Sequence, residues 1–219
     1  MPFLQCIEVE PASEPDAAVI WLHGLGADGH DFEPIVPQLI IPGGPAIKFI
    51  FPNAPAIPVT INGGYVMPAW FDIVNADFDH HADMRGIQES AAAVKALLDR
   101  EVERGIDSRR IVLAGFSQGG TVCYESALTY TRPLAGLLAL STFFATHAAI
   151  IPGTANKTIP VRIYHGSYDP VVPEYLGRRG YDTLTEMGYD TRYKTYAMEH
   201  CVCPEEISDI AGCLHTWLA

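Results

Sequence analysis

Short apolar runs alternate along the chain with segments that have helical periodicity. Near-continuous apolar runs are typical of strands buried on both faces of a parallel sheet. They occupy residues 17–23, 46–52, 110–115, 134–141, 161–165 and 192–196. Residues 3–10 alternate between apolar and polar positions, which predicts an outer strand. The pattern therefore predicts a sheet whose central strands are buried.

Helical patterns lie between several of these runs. From residue 83 to 103 the apolar side chains recur at steps of three and four, which places them on one helix face. Residues 121–130, 174–187 and 203–218 also read as helices. Strands that alternate with helices indicate βαβ units, so we predict an α/β fold: a mostly parallel central sheet with helices on both faces.

One stretch, residues 52–79, fits neither period. It is rich in proline, glycine and asparagine, which predicts a long loop, and loops of this length in compact domains are often functional. Elsewhere the chain has no repeat, low-complexity tract or linker. We therefore predict a single domain over residues 1–219, long enough to bury a full core.

Composition excludes several classes of protein. The net charge of −12 repels phosphate backbones and anionic lipid surfaces, so a nucleic-acid partner is not expected. No apolar run reaches 18 residues and the N-terminus lacks a signal pattern, so we expect neither a stable membrane insertion nor secretion. Five cysteines, an odd and low count, favour reduced thiols in the cytoplasm.

We predict no metal and no cofactor. Cys201 and Cys203 have no second cysteine pair that would complete a zinc site. Carboxylates and histidines at residues 77–83 resemble a metal-binding set in composition, but we interpret them as a solvated acidic loop. The glycines of residues 24–29 match a dinucleotide-binding pattern literally. No acidic residue follows a second strand about 20 residues further on, which disfavours that site.

The strongest chemical signal is the pentapeptide Gly-Phe-Ser-Gln-Gly at residues 115–119. A buried strand pattern precedes it and a helical pattern follows it, which is the context of a nucleophile elbow. The tight turn lifts the hydroxyl of Ser117 above the sheet, and flanking glycines avoid collisions with the neighbouring strand and helix. Ser117 is therefore the predicted nucleophile.

A serine nucleophile needs a base and a group that orients the base. On this fold the partners follow in the order serine, acid, histidine. Asp169 lies just after one predicted strand and His200 just after the next, both on the edge where active sites of parallel sheets collect. Asp169 could instead be an ordinary turn aspartate before proline, and Asp182 and Asp190 are the nearest competitors.

The oxyanion of the reaction needs two N–H donors. We predict the backbone N–H of Leu25, in the glycine-rich loop after an early central strand, and that of Gln118, at the start of the helix after the elbow.

Several segments along the chain resemble those of a known family. The segments LHGLGADG, GGYVMPAWFD, LAGFSQGG and HGSYDPVVP, with the ending H-x-V-C-P-E-E, are similar to the phospholipase/carboxylesterase family. The resemblance implies an α/β-hydrolase fold, a Ser117–Asp169–His200 triad, and a cytosolic serine hydrolase that needs no cofactor. Implied substrates are carboxylic esters, lysophospholipids or acyl thioesters. Family members often form dimers, so a homodimer is an option here.

The histidine loop departs from the family pattern. The family usually has Gly-His-Ser, whereas this chain has Glu199-His200-Cys201. We expect Cys201 not to displace the histidine and Glu199 to change the conformation of the loop.

The acyl pocket is predicted from aromatic and apolar residues in loops. These are Met67, Trp70, Phe71, Phe143 and Phe144. A role in merely covering the core is the alternative for each of them.

The sequence as a whole predicts a carboxylesterase or thioesterase that transfers an acyl group from a small ester or acylated substrate to water. The alternative is a catalytically silent hydrolase-fold protein that binds an acyl ligand or a partner. A dienelactone-hydrolase-like enzyme is disfavoured because those enzymes carry cysteine at the elbow, where this chain has serine.

Overall fold

The fold is built on a seven-stranded sheet with strand order β1-β3-β2-β6-β7-β8-β9. The structure is a computed structural model and describes residues 3–75 and 82–219. Strand β1 is antiparallel to β3, and all other neighbouring pairs in this sheet are parallel. The strands are β1 Cys6–Val9, β2 Ala17–Leu22, β3 Ile47–Pro52, β4 Ala56–Val59, β5 Tyr65–Pro68, β6 Ile111–Phe116, β7 Gly136–Leu140, β8 Pro160–Gly166 and β9 Asp190–Tyr196.

Helices cover both faces of the sheet. They are α1 Val36–Leu39, α2 Met84–Glu103, α3 Gln118–Thr129, α4 Glu174–Glu186 and α5 Pro204–Leu218. Alternate residues of β2 point to opposite faces: Ile20 joins a core cluster with α2, α3 and α4, whereas Val19 joins one with α1 and α5. This two-sided core confirms the predicted α/β architecture.

The region predicted to be a loop contains a hairpin. Strands β4 and β5 pair antiparallel, and Gly63 and Gly64 make the turn with positive φ of 68° and 80°. Residues Tyr65 and Val66 are exposed although apolar, so the segment lacks the alternation that marks a half-buried strand. This is why the sequence pattern did not reveal the hairpin.

The acidic cluster predicted at residues 77–83 lies mostly outside the described residues. Asp77, Asp79, His80 and His81 belong to the part of the chain that is not described. Asp83 caps α2, where its carboxylate accepts a hydrogen bond of 2.9 Å from the backbone N–H of Gly86. In residues 3–75 and 82–219, no helix is both long and apolar enough to span a bilayer.

Glu206 is a buried carboxyl group in the first turn of α5. Among the described residues, neither of its carboxyl oxygens makes a hydrogen bond of full geometry, although the backbone N–H of Cys203 lies near them. Burial raises its pKa from 4.5 to about 8, although the backbone N–H of Cys203 favours the charged form; Asp209 adds to the rise. The folded state therefore keeps a proton that the unfolded state releases, so the free energy of unfolding falls as the pH rises from 4.5 to about 8.

We expect Glu206→Gln to remove this loss, because the amide does not ionise. The variant should have a flatter dependence of Tm on pH and a higher Tm than wild type at alkaline pH. Thermal unfolding followed by circular dichroism at acidic, neutral and alkaline pH measures both. Glu205→Gln, the exposed neighbour, is the control; hydrogen bonds from its own backbone N–H and from Cys203 lower the pKa of Glu205, so this variant should keep the wild-type slope between neutral and alkaline pH. An unchanged slope in Glu206→Gln would contradict the assignment.

Candidate active site

Ser117 lies in a strained turn between β6 and α3. Its φ of 52° and ψ of −122° are unusual for a residue with a side chain. A Cβ on Gly115 would come within 2.6 Å of the Gly119 backbone, and a Cβ on Gly119 within 2.6 Å of the carbonyl oxygen of His23. The backbone N–H of Ser117 donates to the carbonyl oxygen of Leu140 at 2.9 Å. The glycines therefore permit the turn, and β7 helps to hold it.

The structure brings Ser117, His200 and Asp169 into one hydrogen-bonded chain. His200 Nε2 lies 2.9 Å from Ser117 Oγ, and His200 Nδ1 lies 2.6 Å from Asp169 Oδ2. Since an ionised carboxylate only accepts, Nδ1–H is the donor to Asp169. In that tautomer Nε2 carries a free lone pair and accepts the hydroxyl proton of Ser117.

The other oxygen of Asp169 is held by the backbone. The N–H groups of Val171 and Val172 donate to Asp169 Oδ1 at 2.9 and 2.8 Å. Burial acts to raise the pKa of Asp169, but the hydrogen bonds from His200, Val172 and Val171 outweigh it, so the pKa is lowered. The carboxyl group therefore stays ionised at neutral pH.

The competing acids and histidines have other surroundings. Asp190 begins β9 and pairs with Arg162 at 3.5 Å. Asp182 and His215 lie within α4 and α5. His165 is fully buried, and its Nε2–H donates to the carbonyl oxygen of Val172 at 2.9 Å.

The contact of His165 is a feature that the sequence did not reveal. Its Nε2 lies 3.6 Å from Asp169 Oδ2, longer than a hydrogen bond. Its role is to hold the turn that carries Val172, one of the two donors to Asp169. A histidine inside a strand pattern gives no signal of such a contact.

The two residues predicted to donate to the oxyanion both lie in the wall of the cleft that contains Ser117. Leu25 and Gln118 line the same cleft as Ser117 and His200, and Gln118 is the first residue of α3, whose N-terminus favours negative charge. Below Leu25, His23 Nδ1–H donates to the Gly24 carbonyl oxygen at 2.7 Å and Nε2 accepts from Ala54 N–H at 3.1 Å. Burial lowers the pKa of His23 and so favours the neutral ring, although the hydrogen bond to Gly24 acts to raise the pKa.

The side chain of Gln118 has a second role that the sequence did not reveal. Its Oε1 accepts from the backbone N–H of Trp70 at 2.8 Å, and its Nε2 donates to the carbonyl oxygen of Phe71 at 2.7 Å. The residue after the nucleophile thus fixes the segment that follows the β4–β5 hairpin.

An open cleft of about 300 Å³ surrounds Ser117. Most of its wall is apolar, and the polar groups converge at Ser117, as is common in small-molecule sites. The described lining residues are Gly24, Leu25, Ala27, Asp31, Ile73, Phe116, Ser117, Gln118, Phe143, Val171, Val172 and His200.

Only one of the five residues predicted for the acyl pocket is among these. Phe143 lines the cleft, whereas Trp70, Phe71 and Phe144 are buried in the core and are not among its described lining. Trp70 donates its Nε1–H to the carbonyl oxygen of His23 at 2.9 Å, and Phe144 stacks on Tyr124 with ring centroids 4.7 Å apart. Met67 is also outside the described lining; its sulfur lies 3.7 Å from where a Cβ of Gly26 would be. The structure therefore places these four residues outside the described lining of the cleft, and a role for them in binding the acyl chain stays a prediction.

The loop Glu199-His200-Cys201, which departs from the family pattern, still places His200 in contact with Ser117 and Asp169. Glu199 and Cys201 are both exposed, on either side of His200 in sequence. The ring of His200 packs against Phe116 with centroids 4.7 Å apart.

Comparisons with known proteins identify the family of the chain. The sequence pattern of the Phospholipase/Carboxylesterase family matches residues 4–218. The chain belongs to the phospholipase/carboxylesterase family. As a member of that family it is an enzyme, a hydrolase of the carboxylesterase class, as the sequence motifs predicted.

Relatives in the phospholipase/carboxylesterase family include two fungal proteins. Acyl-protein thioesterase 1 of Cryptococcus neoformans var. neoformans is 38% identical over 234 residues, which cover 98% of this chain and 96% of that protein. Acyl-protein thioesterase 1 of Gibberella zeae is 38% identical over 222 residues, which cover 94% and 93%.

Two solved structures superpose over most of the chain. Acyl-protein thioesterase 2 of Zea mays has a TM-score of 0.87 at 29% identity and covers 99% of this chain and 100% of that one. SOBER1 of Arabidopsis thaliana has a TM-score of 0.85 at 29% identity and covers 93% and 99%. These likenesses identify the fold as that of an α/β-hydrolase.

Proposed function

We propose that this family member is a serine hydrolase that cleaves carboxylic esters and acyl thioesters through an acyl-enzyme intermediate. The observation that carries the proposal is the hydrogen-bonded chain from Ser117 Oγ through His200 to Asp169. This arrangement has the geometry of a nucleophile, a base and a group that orients the base.

Acylation begins when Ser117 Oγ attacks the acyl carbon while His200 Nε2 takes the hydroxyl proton. The imidazolium that forms donates through Nδ1 to Asp169, which is held ionised by its backbone donors. Asp169 therefore stabilises the charged ring and fixes its tautomer without itself taking the proton.

Charge develops on the carbonyl oxygen of the substrate as Ser117 attacks. We assign its two donors to the backbone N–H groups of Leu25 and Gln118. The assignment is supported by the place of both residues in the cleft wall and by the N-terminus of α3 at Gln118. The fixed ring of His23 below Gly24 holds the first of these loops in place.

The leaving alcohol or thiol receives its proton from His200. Water then enters in place of the leaving group, gives a proton to the same Nε2 and attacks the acyl carbon. The acid is released, and His200 returns the proton to Ser117 Oγ. Each proton passes through His200, so the cycle needs no other acid or base.

The acyl chain is proposed to lie against the apolar part of the cleft. Ile73, Phe143 and Val172 border Ser117 on the side of the sheet covered by α2, α3 and α4. A cleft of about 300 Å³ favours acyl groups of short to medium length over a fully enclosed long chain. Lysophospholipids remain in the proposed substrate range as esters with such chains.

We include acyl thioesters among the substrates because the two fungal relatives bear the name acyl-protein thioesterase. Thiolates are good leaving groups, so the same residues serve both reactions. We further propose the cytoplasm as its compartment, in keeping with five free cysteines. Any partner beyond the substrate is proposed to be a second copy of the chain.

Matched octanoyl substrates test the function. One is a p-nitrophenyl ester, one a peptide with an S-octanoyl cysteine, and one a lysophospholipid with the same acyl chain. We expect turnover of the ester and the thioester, with release of octanoate, and labelling of the enzyme by a fluorophosphonate. A folded protein that binds octanoate but shows neither turnover nor labelling would favour the catalytically silent alternative.

A further inference from the structure

Apart from His200, Asp31 is the one ionisable side chain among the described residues that line the cleft around Ser117. Asp31 is a carboxylate, and neither lysine nor arginine occurs in that part of the wall. Asp31 is exposed, and no hydrogen bond or ion pair satisfies its side chain within the described residues. A charge of this kind at a cleft mouth acts on any charged group that a substrate carries.

The two sides of the cleft differ in chemistry. Ile73, Phe143 and Val172 belong to or pack on the core cluster under α2, α3 and α4. Phe116 belongs to the cluster on the opposite face of the sheet. The first side is wholly apolar and suits an acyl chain.

Asp31 and His200 line the same cleft. Its neighbour Phe32 packs against Phe116 with ring centroids 5.5 Å apart, and Phe116 packs against His200 at 4.7 Å. His200 Nε2 is the atom that delivers a proton to the leaving group in the proposed mechanism. A leaving group that takes its proton from His200 therefore occupies the cleft that Asp31 lines.

The surroundings of Asp31 strengthen its effect. Burial raises its pKa, His23 opposes this and Asp28 adds to it. The carboxylate is thus incompletely hydrated and gains from a nearby cation more than a freely solvated carboxylate would. Glu199, exposed directly before His200, is a second carboxylate near the same residue in sequence.

From this placement we propose that Asp31 is a specificity-determining residue which selects cationic leaving groups, so that the preferred substrate is an acyl thioester or ester of a basic peptide segment. This inference rests on the proposed function. Thiols and alcohols that carry phosphates or carboxylates, such as a polyphosphate cofactor thiol or an anionic lysophospholipid, are disfavoured by repulsion.

Three S-octanoyl cysteine peptides of equal length test the proposal. One has lysines beside the acylated cysteine, one has glutamates and one has serines. We expect wild type to favour the lysine peptide over the glutamate peptide by about tenfold in kcat/KM at low salt, and by much less at high salt. Asp31→Asn should reduce that ratio by about threefold, and Asp31→Lys should reverse the preference.

The matched control is Glu103→Gln. Glu103 is exposed at the end of α2, at the edge of the sheet opposite to Ser117, so it changes the net charge equally without approaching the cleft. It should keep the wild-type ratio. Fluorophosphonate labelling of Ser117 in each variant reports that the site is folded.

Equal rates on the lysine and glutamate peptides, or an equal change of ratio in Glu103→Gln and Asp31→Asn, would overturn this inference and leave the proposed function intact. O-octanoyl serine peptides repeat the comparison if thioesters are not cleaved. No turnover of any peptide or ester by folded enzyme that has not been treated with the fluorophosphonate would overturn the proposed function itself, and this inference with it.

Discussion

Ser117→Ala should lower kcat on p-nitrophenyl octanoate by about 10⁴-fold or more, because members of a triad act as a unit and loss of the nucleophile removes the acyl-enzyme path. The alanine methyl group fits where the Cβ of serine already lies, so the fold should survive. Residual hydrolysis would come from the N–H donors and from binding alone. The measurement is kcat with Tm determined beside it.

Chemical labelling tests the same residue independently. A fluorophosphonate should add its mass to the peptide that contains Ser117 and to no other. Ser126, buried on the same helix with its hydroxyl bonded to the carbonyl oxygen of Val122, is the matched control. Ser126→Ala should remain active and be labelled normally. Label on a different serine would contradict the assignment.

Asp169→Asn should lower kcat on the order of 10⁴-fold while the fold is kept. The N–H groups of Val171 and Val172 need an acceptor, so the amide oxygen of asparagine takes the place of Oδ1. Its NH₂ group then faces His200 Nδ1 and donates to it. This stabilises the tautomer with hydrogen on Nε2, which cannot accept the proton of Ser117.

The control for this prediction is Asp190→Asn. Asp190 pairs with Arg162 at the start of β9, away from His200. It should retain wild-type kcat. The double variant Ser117→Ala with Asp169→Asn should be no slower than Ser117→Ala alone. An active Asp169→Asn beside an inactive Asp190→Asn would mean that the acid has been misassigned.

The nucleophile elbow could be predicted from sequence because its constraints are local. Gly115 and Gly119 are required by close approaches of backbone atoms within a few residues or to an adjacent strand. Asp169 and His200 could be placed because parallel strands end at one edge of a sheet, so chain order alone brings their loops together. The fold followed from the same alternation of buried strands and helices.

The walls of the cleft could not be predicted in this way. Trp70 and Phe71, which the sequence predicts for the acyl pocket, lie outside its described lining. They follow a hairpin whose exposed apolar residues obscure the strand alternation, and their backbone is hydrogen-bonded to the side chain of Gln118. Val171 and Val172 read as part of a proline-bounded turn. Their place in the cleft depends on how that turn sits on His165, which no periodicity records.

The edge position of β9 has a consequence for how the enzyme loses activity on heating. In the sheet as described, β9 pairs with β8 and lies at the end of the strand order, while Ser117 and Asp169 follow strands with neighbours on both sides. Edge elements open with smaller free energies than the core, and amide hydrogen exchange reports such sub-global opening. Release of β9 and α5 would carry His200 away and leave the nucleophile in a largely intact sheet. We therefore expect inactivation to precede global melting, and stabilisation of the β9 edge to prolong the working life of the catalyst more than further packing of its centre.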